Sequence, residues 1–433
     1  MEFCMNPEIR QALSDWNPWD KGEFPMNLLG LNRDYDLTPY LQAPEIKIIE
    51  GARRVGKSTL LYEVIHHVLK NHKNLLYVNF EDEILKKYSL SEIIYEHLEH
   101  ANIDYLFVDE IQSCIDWVQF IRKMYDRKEI KQIWVSGSNA SLIKAEYATL
   151  LTGRNLPIHI FPLSFHEFLT FKSILIESLP VSKKEQAKII GFFTEYMEYG
   201  AFPAVVNRDT FKKEILLAYF EDFIYKDIVA RHNVNALKVK ELAIYLATNS
   251  AKLFSYRKIA MILQCHLNTV SDYLSYFKEA FLFEELHKHD FSLTKKLSHD
   301  KKIYCLDTGL AACVSFRFSE DKGRILENIV YCELRRRRHE IYFHKQNHEC
   351  DFIIKQELCI TQAIQVCVNL EDPETKKREM NGLLEAMQSY RLNRGVILTY
   401  MEEGEESIVL NSEKFAIKIV PVWQWLLGGI ADA

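Results

Sequence analysis

Between two apolar runs stands the stretch Gly51-Ala52-Arg53-Arg54-Val55-Gly56-Lys57-Ser58-Thr59. Glycines at Gly51 and Gly56 allow the backbone to curl until successive N–H groups point inward as an anion nest. A helix expected from about Lys57 to Leu69 adds the positive end of its dipole. This is the setting that a phosphate group needs. Gly51, Arg54, Val55, Gly56, Lys57, Ser58 and Thr59 would line the cradle. The ammonium of Lys57 would reach β- and γ-phosphates, and the Ser58 hydroxyl would ligate Mg²⁺.

Three further features could complete a hydrolytic site. The apolar run Ile103–Val108 ends in Asp109-Glu110, so a strand delivers two carboxylates at its C-terminal edge. Asp109 would hold the metal through water, and Glu110 would polarise the attacking water. Ile133-Trp134-Val135-Ser136-Gly137-Ser138-Asn139 is a second such run, whose Ser138 or Asn139 could orient the γ-phosphate or the water. A helix cap after a strand is the alternative there. Arg154, on the turn Thr152-Gly153-Arg154, could act as a finger on a phosphate, in the same chain or across a subunit interface. The alternative is an ordinary surface arginine.

These residues need a scaffold that brings strand ends together. Short apolar runs at 46–50, 74–80, 103–108, 131–136 and 156–160 alternate with amphipathic stretches. Runs of this kind mark strands buried on both faces of a parallel sheet with helices between them. The chain of 433 residues is too long for one core, so two or three domains are expected. Its net charge of −6 excludes a uniformly basic nucleic-acid binder, and any DNA contact must come from a local patch. Nine cysteines, odd in number and without metal or redox spacing, predict reduced thiols in a cytoplasmic protein. The N-terminus lacks a basic start before an apolar stretch, and the segment 415–430 is interrupted by Lys418, Pro421 and Gln424. Neither a secretory signal nor a membrane span is expected.

Beyond the first sheet, 161–250 has mostly helical periodicity. Ser255–Leu263 predicts a short helix, Gln264–Leu267 a turn, and Asn268-Thr269 the cap of a second helix through Val270, Tyr273, Leu274 and Phe277. Two apolar runs follow, Phe281–Leu286 and Lys302–Cys305, joined through Thr294-Lys295-Lys296-Leu297. Together they predict a winged helix. Residues 251–302 hold nine Lys/Arg against six Asp/Glu. Arg257, Lys258, Lys295, Lys296, Lys301 and Lys302 could meet phosphates, while Asn268, Thr269 and Ser271 open the recognition helix. Packing against protein is the alternative use of such a unit.

The features Gly51–Thr59, Val108-Asp109-Glu110, Ser136–Asn139 and Thr152-Gly153-Arg154 together resemble an archaeal-type AAA+ ATPase family. Pro162-Leu163-Ser164-Phe165-His166-Glu167-Phe168, Tyr199-Gly200-Ala201-Phe202-Pro203 and Tyr225-Lys226-Asp227-Ile228 with Arg231 extend the resemblance from about 30 to 400. It implies a P-loop core with a five-stranded parallel sheet and the Asp109 strand near its middle. It also implies ATP and Mg²⁺ as cofactors, and a homo-oligomer in the manner of ring-forming relatives. Glu327, Asp351 and the strand Ala363–Val368 resemble the PD-(D/E)XK nuclease fold. Gln365-Val366-Cys367 stands where that fold has Glu-x-Lys, so the metal-binding charge and the lysine are missing and cleavage is not expected. The run Arg335–Arg338 suggests either a phosphate contact or a solvated helix end.

The expected fold class is α/β: a P-loop AAA+ core, a winged helix and a C-terminal α/β restriction-endonuclease-like domain. The boundaries expected are 1–170 for the core, 171–250 for a helical region, 251–306 for the winged helix and 307–433 for the C-terminal domain. The expected function is a Mg-dependent ATPase that couples its cycle to DNA binding or remodelling. A switch with protein partners and an ATP-coupled nuclease are the alternatives.

Overall fold

The computed structural model describes residues 6–22, 24–31, 33–114, 117–138, 151–176, 179, 181–290, 301–315, 321–410 and 413–428. The chain forms two compact units, Met1–Phe161 with Glu279–Phe281, and Pro162–Lys278 with Leu282–Ala433. Among the described residues no helix is long and apolar enough to cross a membrane, and none of the cysteines is in a disulfide.

In the first unit, β1 (Ile46–Gly51), β2 (Leu75–Asn79), β3 (Tyr105–Asp109), β4 (Gln132–Gly137) and β5 (Asn155–Ile160) form one parallel sheet in the order β2-β3-β4-β1-β5. The five apolar runs become these five strands because each is shielded on both faces. Ile48, Val78, Val108 and Val135 are aligned on one face and fully buried. Tyr77, Phe107 and Trp134 fill the other, with the Phe107 and Trp134 rings stacked at 6.2 Å. The Asp109 strand is interior, flanked by β2 and β4. The helix Lys57–Leu69 buries Leu60, Leu61, Val64, Ile65 and Val68, the i, i+3, i+4 stripe that a sheet-packed helix requires.

Gly51 closes β1 with φ +153°, and a Cβ built there would lie 2.2 Å from the Ile160 carbonyl oxygen on β5. Only glycine fits, because the backbones approach closely where strand becomes loop. Gly51→Ala is expected to lower stability by roughly 1–3 kcal/mol, the usual cost of an overpacked site. It should also weaken nucleotide affinity, as the loop shifts away from β5. Urea denaturation and nucleotide titration check this, and a variant matching the parent in both would contradict it.

In the second unit the family motifs build a joint. Ser164 and Glu167 form a capping box at the helix Phe165–Phe171. The Leu163 N–H donates to the Ala201 carbonyl at 2.8 Å. Helix Lys183–Tyr199 ends at Gly200, φ +69°, and the Ala201 N–H donates to the Asp307 carboxylate at 2.7 Å. Asp227 is buried and paired with Arg231 at 3.2 Å, in a π-helical turn Phe223–Val229. These motifs therefore hold elements of the second unit together.

Helices Tyr256–Ile262 and Leu267–Glu279 follow one another across the link 263–266. The second starts ahead of the expected Asn268-Thr269 cap, so both residues lie in its first turn. β6 (Leu253–Phe254), β7 (Phe283–Leu286) and β8 (Lys301–Cys305) form an antiparallel sheet in the order β6-β8-β7. Lys295 and Lys296 lie outside the described residues.

The rest of the unit is a mixed sheet in the order β13-β14-β12-β11-β10-β9. Its strands are β9 (Glu340–Lys345), β10 (Glu349–Gln356), β11 (Cys359–Val366), β12 (Arg394–Thr399), β13 (Gly404–Leu410) and β14 (Glu413–Pro421). The second unit thus takes in this sheet together with most of 162–306.

Candidate functional site

Parallel pairing carries the ends of β1, β3 and β4 to one edge of the first sheet. Glu50 is level with Gly137, and Val108 with Val135. The loop 51–56, Asp109-Glu110 and Ser136–Ser138 therefore meet there. Arg54, at φ +69°, and Gly56, at φ +102°, turn the loop through left-handed backbone before the helix begins at Lys57. The Arg33 guanidinium braces the loop from outside, donating to the Val55 carbonyl at 2.8 Å and to the Phe161 carbonyl at 2.9 Å.

Lys57 is buried. Its Nζ donates to the Ala52 carbonyl at 2.9 Å and stands 3.8 Å from the Glu110 carboxylate. Burial pushes the Glu110 carboxyl up, but Lys57, the Gln112 amide, Arg53 and Ser138 outweigh it and hold it below the ordinary glutamate value. Glu110 is therefore ionised at neutral pH, the state a proton acceptor needs.

Asp109 is fully buried. Its partners among the described residues are neutral donors: the Tyr77 hydroxyl at 2.9 Å, the Ser136 and Ser58 hydroxyls and the Glu110 N–H at 3.1 Å. Burial and the Glu110 charge raise its carboxyl above the usual aspartate range. A buried carboxylate beside a serine hydroxyl, with no cation paired to it, is an all-oxygen donor set suited to Mg²⁺. Together the loop and these carboxylates fit Mg·ATP.

Two catalytic candidates remain. Asn139 lies outside the described residues. Arg154 is at the opposite edge of the sheet, because its carbonyl accepts from Ile46 N–H, at the start of β1. The six residues of β1, five steps from Ile46 to Gly51, put about 16 Å between that position and the loop. Its guanidinium pairs with Asp126 at 2.7 Å. The same-chain finger reading of Arg154 is thereby corrected, since the turn precedes β5 and parallel strands start at the edge remote from the site.

Sequence reasoning missed Arg33, Tyr77 and Gln112. Arg33 and Tyr77 are distant in sequence from any motif. Gln112 follows Glu110 by two residues, a signal that was there to be weighed.

The second unit holds a polar cavity of about 1080 Å³ lined by Glu327, Glu349, Asp351, Gln365, Arg378 and Glu379, among others. Gln365 does not face it as a metal ligand. Its amide oxygen accepts from Asp351 N–H at 3.2 Å, and its nitrogen donates to Glu379. The lysine missing from β11 is matched by one from β8. Buried Lys302 donates to Glu327 at 2.7 Å, to Asp351 at 2.8 Å and to Glu349 at 2.9 Å. Burial works against its charge, but Asp351, Glu327, Tyr304 and Glu349 outweigh it and keep the ammonium protonated. Lys302 is thus not a phosphate contact of the helix-turn-helix, and Lys301 is paired with Glu285 at 3.1 Å. The expectation for Lys302 fails because its side chain is buried within the unit.

Three arginines of the run are engaged by protein groups. Arg335 pairs with Glu284 at 2.8 Å, while Arg336 and Arg337 share Glu333 at 3.0 and 2.8 Å and donate to the Pro162 and Trp425 carbonyls.

Lys302→Met is expected to destabilise the protein by about 3–5 kcal/mol, because buried carboxylates lose their counter-charge. Adding Glu349→Gln should restore part of that loss, as read from chemical denaturation of the single and double variants.

Residues 43–169 match the model of an AAA domain family, and residues 191–321 match a domain of unknown function, DUF8612. The chain is 36% identical over 416 residues to the uncharacterized protein MJ1544 of Methanocaldococcus jannaschii, covering 92% of this chain and 91% of that one. An uncharacterized protein of Haemophilus influenzae is 30% identical over 400 residues, covering 88% of this chain and 94% of the other. Among solved structures, a mutant RuvB from Thermotoga maritima shares 13% identity, with 55% of this chain and 81% of that chain aligned at a TM-score of 0.29.

Proposed function

This chain belongs to the protein family that includes MJ1544 and its Haemophilus influenzae relative, it carries an AAA-type P-loop ATPase domain, and from that premise we propose that it hydrolyses ATP with Mg²⁺ and couples the cycle to DNA binding or remodelling. The observation that carries the ATPase reading is the meeting of Lys57, Ser58, Asp109 and ionised Glu110 at one sheet edge.

The loop amides and Lys57 would bind the β- and γ-phosphates. Ser58 and Asp109 would hold Mg²⁺, and the chemistry the ion supplies when bound is neutralisation of phosphate charge. Glu110 would take a proton from water as its oxygen bonds to the γ-phosphorus. The bond from that phosphorus to the β-phosphate oxygen breaks, leaving ADP and phosphate. Phosphate release from the intact protein with Mg·ATP, and its loss on chelation, tests this.

The DNA reading rests on exposed Arg257, Lys258 and Asn268, with partly buried Thr269 beside them on the second helix. Binding of duplex, branched and single-stranded DNA should weaken steeply with salt, and DNA should raise the ATPase rate. If no form binds and the rate does not change, the partner is a protein. That alternative is favoured by exposed Met261, Ile262 and Leu267 around the helix-turn-helix turn. The nuclease alternative is disfavoured because Lys302 already sits among the carboxylates that would hold a metal. Plasmid cutting with Mg²⁺ or Mn²⁺ that disappears in Asp351→Ala would restore it. Arg154, partly exposed at the far sheet edge, would act on ATP only in a homo-oligomer, which mass measurement with ATP detects.

A further inference from the structure

We propose that Gln112 is a working member of the ATP site: its amide nitrogen holds Glu110, and its amide oxygen accepts a hydrogen bond from the attacking water. This rests on the ATPase reading above and assigns a residue that reading does not need.

The chain geometry comes first. Glu110 adopts left-handed backbone, φ +52°, and a single 3₁₀ turn, Ile111–Ser113, follows it. A non-glycine residue in that region is a strained element of the kind held at functional sites. The turn sends the Gln112 side chain back onto the residue that began it. Gln112 Nε2 donates to Glu110 Oε2, and also to Ser138 Oγ at 3.2 Å.

The orientation of this amide follows from chemistry. An ionised carboxylate only accepts hydrogen bonds, so the atom facing Glu110 must be the nitrogen. Both N–H groups are then used, one on Glu110 and one on Ser138. Oε1 remains, buried and without a hydrogen-bond partner among the described residues. Buried carbonyl oxygens in folded proteins almost always have a partner. An acceptor left over beside the proton-accepting carboxylate is suited to a donor that arrives with the substrate. The nucleophilic water is such a donor, having one proton for Glu110 and one for Gln112. A glutamine orients water in the same manner in GTP-hydrolysing P-loop proteins. Here the amide also links Ser138, on the neighbouring strand end, to Glu110.

The reaction is unchanged in its balance. Water oxygen bonds to the γ-phosphorus, its proton passes to Glu110, and ADP leaves. Gln112 neither gains nor loses an atom, and acts by fixing two partners.

The test uses the full chain with Gln112→Leu, which keeps the shape and removes both polar atoms. ADP affinity should stay within about twofold. The turnover number should fall about 30-fold or more, within the range of losses seen for positioned proton-transfer groups. Affinity for ADP with aluminium fluoride, which imitates the transferring phosphoryl group, should fall about tenfold.

Gln112→Asn, which keeps the amide but withdraws it by one methylene, should show the same losses and stands in if the leucine variant fails to fold. Parent-like turnover and fluoride-complex affinity in both variants would overturn the proposal. If the parent itself releases no phosphate, or Lys57→Ala hydrolyses as the parent does, the ATPase reading falls and the proposal with it.

Discussion

Lys57→Ala is expected to abolish nucleotide binding at working concentrations and, with it, phosphate release. The ammonium is buried at the start of its helix, donating to Ala52 and facing Glu110. Bound to ATP it would make charge-assisted hydrogen bonds to two phosphates. Each such bond contributes about 1.5–3 kcal/mol, so two are equivalent to roughly 10²–10⁴ in affinity. The variant also removes the nearest positive charge that lowers the Glu110 carboxyl, so that carboxyl should rise from its depressed position. Titration with a fluorescent ATP analogue measures the first effect, and a melting curve confirms that the fold is retained. Binding within threefold of the parent would show that the loop does not hold the triphosphate.

Glu110→Gln should separate binding from chemistry. The side chain keeps its size and loses its ability to take a proton. Nucleotide affinity should be maintained or rise, since a negative charge leaves the neighbourhood of Lys57 and the phosphates. Hydrolysis should fall by roughly 10²–10⁴, the usual contribution of a positioned acid–base group. Bound nucleotide should then be recovered as ATP rather than ADP when the protein is passed through a desalting column and analysed. A variant that hydrolyses at the parental rate would move the proton-accepting role elsewhere. Asp109 is not a ready substitute, because its oxygens are engaged by Tyr77 and two serines.

The two variants bear on different parts of the geometry. Lys57 belongs to the loop and the helix that follows it, and Glu110 to the end of β3. Gly51 and Arg33 act on neither group directly, but each fixes the loop from one side, through β5 and through the Val55 carbonyl. Their variants should therefore change affinity more than turnover in bound complexes.

The sequence alone determined the first sheet and its nucleotide edge. Apolar runs buried on both faces must be central parallel strands, and a glycine loop before a helix has few other uses. Lys57, Ser58, Asp109 and Glu110 were legible because local backbone presents each of them. Contacts made across long sequence separations were not legible. Lys302 appeared to be a basic residue of the helix-turn-helix, yet it is buried among Glu327, Glu349 and Asp351, 25 to 49 residues away. Arg335, Arg336 and Arg337 appeared to be a basic patch, and each reaches a partner far along the chain: Glu284, the Pro162 carbonyl and the Trp425 carbonyl. Arg154 sits on a suggestive turn, but strand direction places it at the wrong edge for its own chain. Periodicity encodes which face of an element is buried, because every residue of the element reports it. The partner of a single charged side chain is set only when the chain folds back on itself, and no local pattern carries that information.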